Sequence, residues 1–380
     1  VEATQSYARY IGARVVAIYG GSSYNRQVRQ LQQGAHIVVG TPGRTLDLIR
    51  QGLLDLSNVK FLVLDEADEM LSMGFIEDVE TIVAAATGET RQTALFSATM
   101  PEPIARLAAR YMKTPEKVSI VQKTLTVAET EQRFYLVYEE DKFKALARLL
   151  EVEEVKSALV FARTKVGAAQ LAEALLSRGY PAEALHGDLN QEAREIVMRR
   201  FRSGQLTLLV ATDVVARGVD IQGVSHVFNF DMPYDAEDYV HRIGRTGRAG
   251  RTGVAITLVT PRERRWLKQI ETFTRQRIAQ GKLPHFAEVK AKRDERFKQI
   301  LNEQFEKDLS NEVNLINEMV EAGYNAADIA AAAIRMARSH EAQRPIEDIR
   351  EAHERTERPA RDQQRERRPL RRRRRLARLL

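Results

Sequence analysis

Not one cysteine occurs in the 380 residues. That excludes disulfides and thiolate metal sites and fits a reducing compartment. Tryptophan is nearly as scarce, with a single residue. No apolar run approaches the ~20 residues that cross a bilayer, so no membrane span is expected. The basic start and apolar stretch of a secretory leader are missing from the first residues, and no solenoid-type repeat occurs. A cytoplasmic protein is expected. Its 43% hydrophobic content is enough for two cores of ordinary size. The first residue is Val rather than Met, which fits a truncated chain or a processed one.

The net charge of +7 is unevenly placed. Residues 341–380 hold 14 Arg, no Lys and 8 Asp+Glu, a balance of +6. Such an end attracts a polyanion such as RNA, or is a solvated tail whose charge does nothing specific. Few large apolar residues occur there, so 341–380 is expected to be disordered.

Short, nearly continuous apolar runs alternate with helical patterns in two regions. Strands are expected at 14–19, 36–40, 61–65, 93–96 and 117–121, then at 134–137, 158–161, 182–185, 206–211, 226–230 and 253–259. Nearly continuous apolar strands with helical connections indicate parallel sheets covered on both faces. The expected class is α/β, with two doubly wound domains. The polar, aperiodic stretch 122–131 is read as the linker between domain 1 (1–121) and domain 2 (132–277). A helical region (278–340) follows. Its apolar positions Phe297, Ile300, Leu301, Phe305 and Leu309 make an amphipathic face that needs a partner.

Two local patterns carry chemistry. In Phe61-Leu-Val-Leu-Asp65-Glu66-Ala67-Asp68 an apolar strand ends in acids. Ligands of open α/β sheets bind at that carboxyl edge. One carboxylate there can hold a hydrated Mg²⁺ bridging nucleotide phosphates, and a second can position the attacking water. The same letters also suit a helix start, where acids favour the positive end of the dipole. In His241-Arg242-Ile-Gly-Arg245-Thr-Gly-Arg248-Ala-Gly250, arginines recur every three residues between glycines. Their planar, permanently charged forks suit phosphate and can stabilise charge on a transferred phosphoryl group. Alone, the segment also reads as a surface loop of Gly and Arg.

Together the two patterns resemble the DEAD-box helicases of superfamily 2, and the resemblance runs over about residues 1 to 277. Gly20-Gly21 and Thr41-Pro42-Gly43-Arg44 look like the elements of domain 1 that grip the RNA backbone. Ser97-Ala98-Thr99 resembles the segment that couples hydrolysis to unwinding. Phe161 and Thr164, then Gln191 and Arg194, match the first motifs of domain 2, and their implied role is RNA binding. Ala211-Thr212-Asp213 and Ala216-Arg217-Gly218-Val219-Asp220 match the motif in which Thr212 faces RNA and Asp220 the nucleotide ribose.

The resemblance implies two tandem RecA-like domains, the first incomplete, with ATP and Mg²⁺ as cofactors. Asp65 would organise the metal through water, and Glu66 would serve the attacking water. Asp68 would contact Ser97-Ala98-Thr99, while His241 and Arg242 couple the domains. Arg217, Gly218, Asp220, Arg245 and Arg248 would meet the nucleotide, with Arg245 and Arg248 as arginine fingers. The substrate class implied is RNA, held by its backbone without sequence reading.

The family's Gly-x-x-x-x-Gly-Lys-Thr phosphate loop is not among the 380 residues. The one Gly-Lys, Gly281-Lys282, runs into Leu283. The glutamine-bearing adenine motif and the Pro-Thr-Arg-Glu-Leu segment are missing too, and in the family all three precede the position of Val1. A truncated domain 1, unstable by itself, and a self-sufficient domain 2 are therefore expected. Residues 282–338 loosely resemble the dimerisation region of bacterial cold-shock DEAD-box helicases, which implies a homodimer; the alternative is that this apolar face packs on domain 2. The run Arg371–Arg375 reads as an RNA tether. The competing reading is a non-catalytic RNA-binding or dimerising protein that begins at residue 1.

Overall fold

A computed structural model describes residues 1–119, 130–217, 221, 223–247, 252–350 and 352. In the first region β1 (Val15–Ile18) pairs in parallel with β2 (Ile37–Gly40), and β3 (Phe61–Leu64) with β4 (Gln92–Leu95). The two pairs form separate two-stranded sheets. Ile18 and Leu48 are fully buried under the first pair, and Val79 and Val83 lie under the second. Helices Pro42–Arg50 and Ile76–Ala85 pack together and hold the pairs in one body. The outer faces stay open, with Phe61 71% and Val63 57% exposed.

The second region is a continuous parallel sheet of β5 (Thr130–Leu136), β6 (Ala158–Phe161), β7 (Ala182–Leu185), β8 (Leu208–Ala211), β9 (His226–Asn229), β10 (Gly253–Val259) and β11 (Ala279–Gln280). Its order is β11-β5-β10-β9-β6-β8-β7. Every residue of β6, β8 and β9 is buried, because helices cover both faces. Helix Lys165–Ser177 shows how: Ala168, Leu171, Ala172 and Leu175 form one buried stripe at helical spacing. Thr164 caps its start by accepting the Gly167 N–H at 3.0 Å. Each fully buried Leu, Ile or Val contributes about 1.5–3 kcal/mol.

The α/β class agrees with expectation, but several boundaries change. No strand forms at 117–119, and Val118 is 87% exposed. Residues 120–129, most of the expected linker, lie outside the described residues, while Thr130 and Glu131 belong to β5. Domain 2 extends past 277, because β11 pairs with β5. After it come helices Phe286–Phe305, Ser310–Glu321 and Ala326–Ala337. The expected disordered tail begins too early at 341. Residues 344–350 lie back along domain 2, where Arg344 donates to Arg178 O (3.0 Å) and Gly179 O (2.7 Å) and Ile349 packs against the core. These charged residues stay ordered because each meets a partner across the chain. The rest of that expectation, Arg371–Arg375 included, lies outside the described residues.

Candidate functional site

Parallel strands bring their following loops to one edge of each sheet. In domain 1 these loops carry Gly20-Gly21, Thr41–Arg44, Asp65–Asp68 and Ser97–Thr99. In domain 2 they carry Phe161–Thr164, Thr212 and the helix Asp213–Arg217.

The acidic loop is built by its neighbour strand. Asp65 follows β3 and is exposed, and its Oδ1 accepts the Glu66 N–H at 3.0 Å. Glu66 is left-handed (φ 51°, ψ 50°), a conformation that costs a non-glycine residue about 1 kcal/mol or more. The turn is held because the next amides are claimed by the exit of β4. Ala67 N–H donates to Phe96 O (3.1 Å) and Asp68 N–H to Ser97 Oγ (3.1 Å). Asp68 is only 6% exposed, and its Oδ2 accepts from the Thr99 amide (2.7 Å) and hydroxyl (3.0 Å). The contact expected between Asp68 and Ser97-Ala98-Thr99 is present: the carboxylate is committed to Thr99 and positions that segment, which leaves Asp65 and Glu66 as the acids open to a ligand. Asp65 and Glu66 present exposed carboxylates. A single hard oxygen donor fits a Mg²⁺ that keeps most of its water and phosphate ligands. Among the described residues no group of three or more His, Asp or Glu converges on a metal position.

The arginine segment begins in the last turn of a helix, Ala236–Ile243, whose first turn is capped by Asp235 Oδ1 accepting the Asp238 N–H (2.7 Å). Its last turn aims His241 at domain 1, where Nδ1 meets the Glu69 carboxylate. Burial, then the nearby carboxylates of Asp235 and Asp68, pushes the Glu237 carboxyl above its usual range against the pull of His241. Arg242 turns the other way, into domain 2, and is 2% exposed. Its fork grips Asp213 at 2.6 and 2.8 Å, and Nη1 donates to Asn229 Oδ1 (3.2 Å) and Asp231 O (2.6 Å). The Phe161 ring lies 4.8 Å away. The expected coupling role of Arg242 is therefore corrected to an internal one, since its donors are spent inside domain 2. Arg245 lines a small cavity with Asp213, Asp238 and His241. Gly253 makes room for that turn, because a Cβ there would stand 2.4 Å from the Gly247 nitrogen.

The expected RNA residues divide. Gly21 (φ 76°) is open to solvent, and a Cβ on it would stand 3.4 Å from Gln191 Cβ, so it faces domain 2 at close range. Gly20, Thr41, Gly43 and Thr164 are exposed. Pro42 starts the helix Pro42–Arg50. Arg44 donates to Gln27 Oε1 (3.2 Å) and lies 5.2 Å from the Tyr24 ring. Arg194 donates to Gly187 O (3.2 Å). Thr212 is 9% exposed. Phe161 is corrected: its ring, 2% exposed, packs in the core beneath Arg242. Gly218, Asp220 and Arg248 lie outside the described residues, as does the side chain of Arg217. Glu69, Asn229 and Glu237 were not anticipated, nor was the pairing of Asp213 with Arg242. An acid just past Asp65–Asp68 signals only a helix start, and its partner His241 is far away in the chain.

Comparison with known proteins gives three matching family models. They are the DEAD/DEAH box helicase (residues 1–107), the helicase conserved C-terminal domain (141–250) and the RNA helicase DeaD dimerization domain (284–348). The ATP-dependent RNA helicase CshA of Listeria monocytogenes is 48% identical over 87% of this chain and 63% of its own length. The DEAD-box ATP-dependent RNA helicase CshA of Geobacillus kaustophilus is 52% identical over 73% of this chain and 59% of its own length. For the Bacillus subtilis protein of that name the figures are 45%, 90% and 69%. The chain thus spans less than two thirds of the first two relatives. Among solved structures, S. cerevisiae Dbp5 bound to RNA and ADP BeF3 matches with a TM-score of 0.68 and 32% identity, over 77% of this chain and 76% of that one.

Proposed function

The chain belongs to the DEAD-box ATP-dependent RNA helicase family, of the bacterial cold-shock type, and from that premise we propose that it contributes the catalytic and coupling residues of an ATP-driven RNA-remodelling cycle. The observation that carries this reading is the chain of contacts from Ser97–Thr99 through Asp68 and Glu69 to His241. It links the loop that would organise the metal to the helix that leads into Arg245. Bound Mg-ATP would supply the phosphoryl group and the charge that closes the cleft. Asp65 would hold the metal's water shell, and Glu66 would orient the attacking water and take its proton. Arg245, with Arg248, would stabilise charge on the departing phosphate. Gly20-Gly21, Thr41–Arg44, Thr164, Gln191, Arg194 and Thr212 would hold one RNA strand by its backbone, bent away from its complement. The site of action proposed is the cytoplasm. Among the described residues no helix is long and apolar enough to cross a membrane.

Self-association through residues 282–338 is part of the same proposal. Helices Ser310–Glu321 and Ala326–Ala337 bury no residue, and Val313, Leu315, Val320, Tyr324 and Met336 are exposed.

The phosphate-cradling loop is not among the 380 residues, which favours a second reading in which these residues bind RNA without hydrolysing ATP. The test is fluorescence anisotropy with single-stranded RNA and DNA of one sequence, beside RNA-stimulated ATP hydrolysis by the chain and by Glu66→Gln. Tighter RNA than DNA binding, weakened by Arg44→Ala, supports the RNA interface that both readings share. Absence of any RNA preference would contradict it. Hydrolysis is expected at background; turnover abolished in Glu66→Gln would exclude the second reading.

A further inference from the structure

Both ends of the helical extension meet on one buried carboxylate. Glu151, in the last turn of the helix Lys142–Val152, is 5% exposed. From the outgoing helix Phe286–Phe305, Arg293 Nε reaches it at 2.9 Å. From the returning segment, Arg344 Nη1 stands 3.6 Å away. The Tyr180 hydroxyl donates to the same carboxylate at 2.5 Å, and Arg344 lies 4.1 Å from the Tyr180 ring. Arg293 also donates to Arg344 O at 2.8 Å, which ties the two ends to each other. Beyond Arg344 the strap continues, with Glu347 paired to Arg178 and Lys144 donating to Asp348 O at 3.3 Å.

Between these anchors, the helices Ser310–Glu321 and Ala326–Ala337 bury nothing. A flexible base would let that apolar face sample many angles. A buried carboxylate between two guanidiniums does the opposite. If either arm leaves, charge is stranded away from water, so the bound arrangement is strongly preferred over partly open ones. Arginine's planar fork and its stacking on Tyr180 add a direction to that preference.

We propose that Glu151, Arg293 and Arg344 form a latch that fixes the angle at which residues 286–338 leave domain 2, so that the exposed apolar face meets a second copy of the chain in a single orientation. The proposal rests on the self-association reading above, and the match of 284–348 to a dimerization model names the second copy as occupant.

The cysteine-free chain allows site-specific spin labels at Glu173→Cys on domain 2 and Asn314→Cys on the extension. Pulsed dipolar spectroscopy, with labelled chain diluted into unlabelled chain, reads the intramolecular distance alone. One narrow distance is expected in the parent, and a severalfold broader distribution in Arg344→Ala and Glu151→Gln. Arg344→Lys, which keeps the charge but loses the fork, is expected to broaden it as well. Arg344 lies on a surface strap, so the melt of domain 2 persists in its variants and serves as the folding control. Distributions as narrow as the parent's in both Arg344→Ala and Glu151→Gln would overturn the latch. Sedimentation separates the premise: a monomeric parent would overturn self-association and with it the orientation claim, whatever the distances show. A dimer that persists in Arg344→Ala, with broadened distances, supports the whole proposal.

Discussion

The two sheets are written in the same alphabet and end in different circumstances. Phe61-Leu-Val-Leu and Ala158-Leu-Val-Phe are both continuous apolar runs that form parallel strands. In β6 all four side chains are buried between β8 and β9. In β3, paired with β4 alone, Phe61 and Val63 face outward, largely exposed. A local pattern selects the strand; the neighbours decide whether its apolar area is removed from water. Domain 2 is therefore expected to carry most of the chain's stability and domain 1 to be its soft half.

Arg242→Met breaks the comparison hardest. It leaves Asp213 largely buried without its partner, and a loss of about 3–5 kcal/mol is expected. Denaturant unfolding is expected to show it in the transition of domain 2 alone. Asp68→Asn attacks the soft half. It weakens the charge-assisted bonds from the Thr99 amide and hydroxyl, at a cost of about 1.5–3 kcal/mol. Faster hydrogen exchange at 97–99, with β6 and β8 unchanged, is the expected readout.

Acid sharpens the contrast. Burial alone would raise the Glu151 and Glu153 carboxyls, but their partners outweigh it and hold both below the usual range. For Glu151 these are Arg293, Tyr180 and Arg344, and for Glu153 they are His226 and Arg133. A depressed folded pKa gives stability that is complete above the unfolded value and is lost as pH falls through the folded one. Domain 2 is thus expected to weaken below about pH 4.5. Glu153→Gln is expected to flatten that dependence in an acid titration followed by circular dichroism. Glu237 has the opposite sign. Its raised carboxyl favours the contact between domains at low pH and opposes it as pH rises through the folded value. Glu237→Gln is expected to raise the thermal midpoint slightly at neutral pH. The smallest effect belongs to Phe61→Ser, within about 0.5 kcal/mol because the ring is already in water, with less aggregation in light scattering.

Much of this was legible in the sequence because it is local. The strands at 158–161, 182–185 and 253–259 fall where the apolar runs place them, and the acidic segment lies at the expected sheet edge. What was not legible depends on partners distant in the chain. Nothing near Glu69 announces His241. Nothing around Glu151 announces Arg293 and Arg344, which is why the start of the Arg-rich tail reads as disorder by composition yet packs by pairing. Lys117–Ser119 differs the other way: the pattern suits a strand, but the segment is exposed and forms none. Phe161 belongs to a motif read as RNA-facing, and only the stack beneath Arg242 reveals it as core.

Hydrogen exchange by mass spectrometry on the intact chain tests the asymmetry most directly. The amides of β6, β8 and β9 are expected to exchange only through global unfolding of domain 2, and those of β1 and β3 much faster, through local opening. Equal protection of β3 and β6 would contradict the account, because a strand with one neighbour and two exposed apolar side chains would then be as stable as one buried on every side.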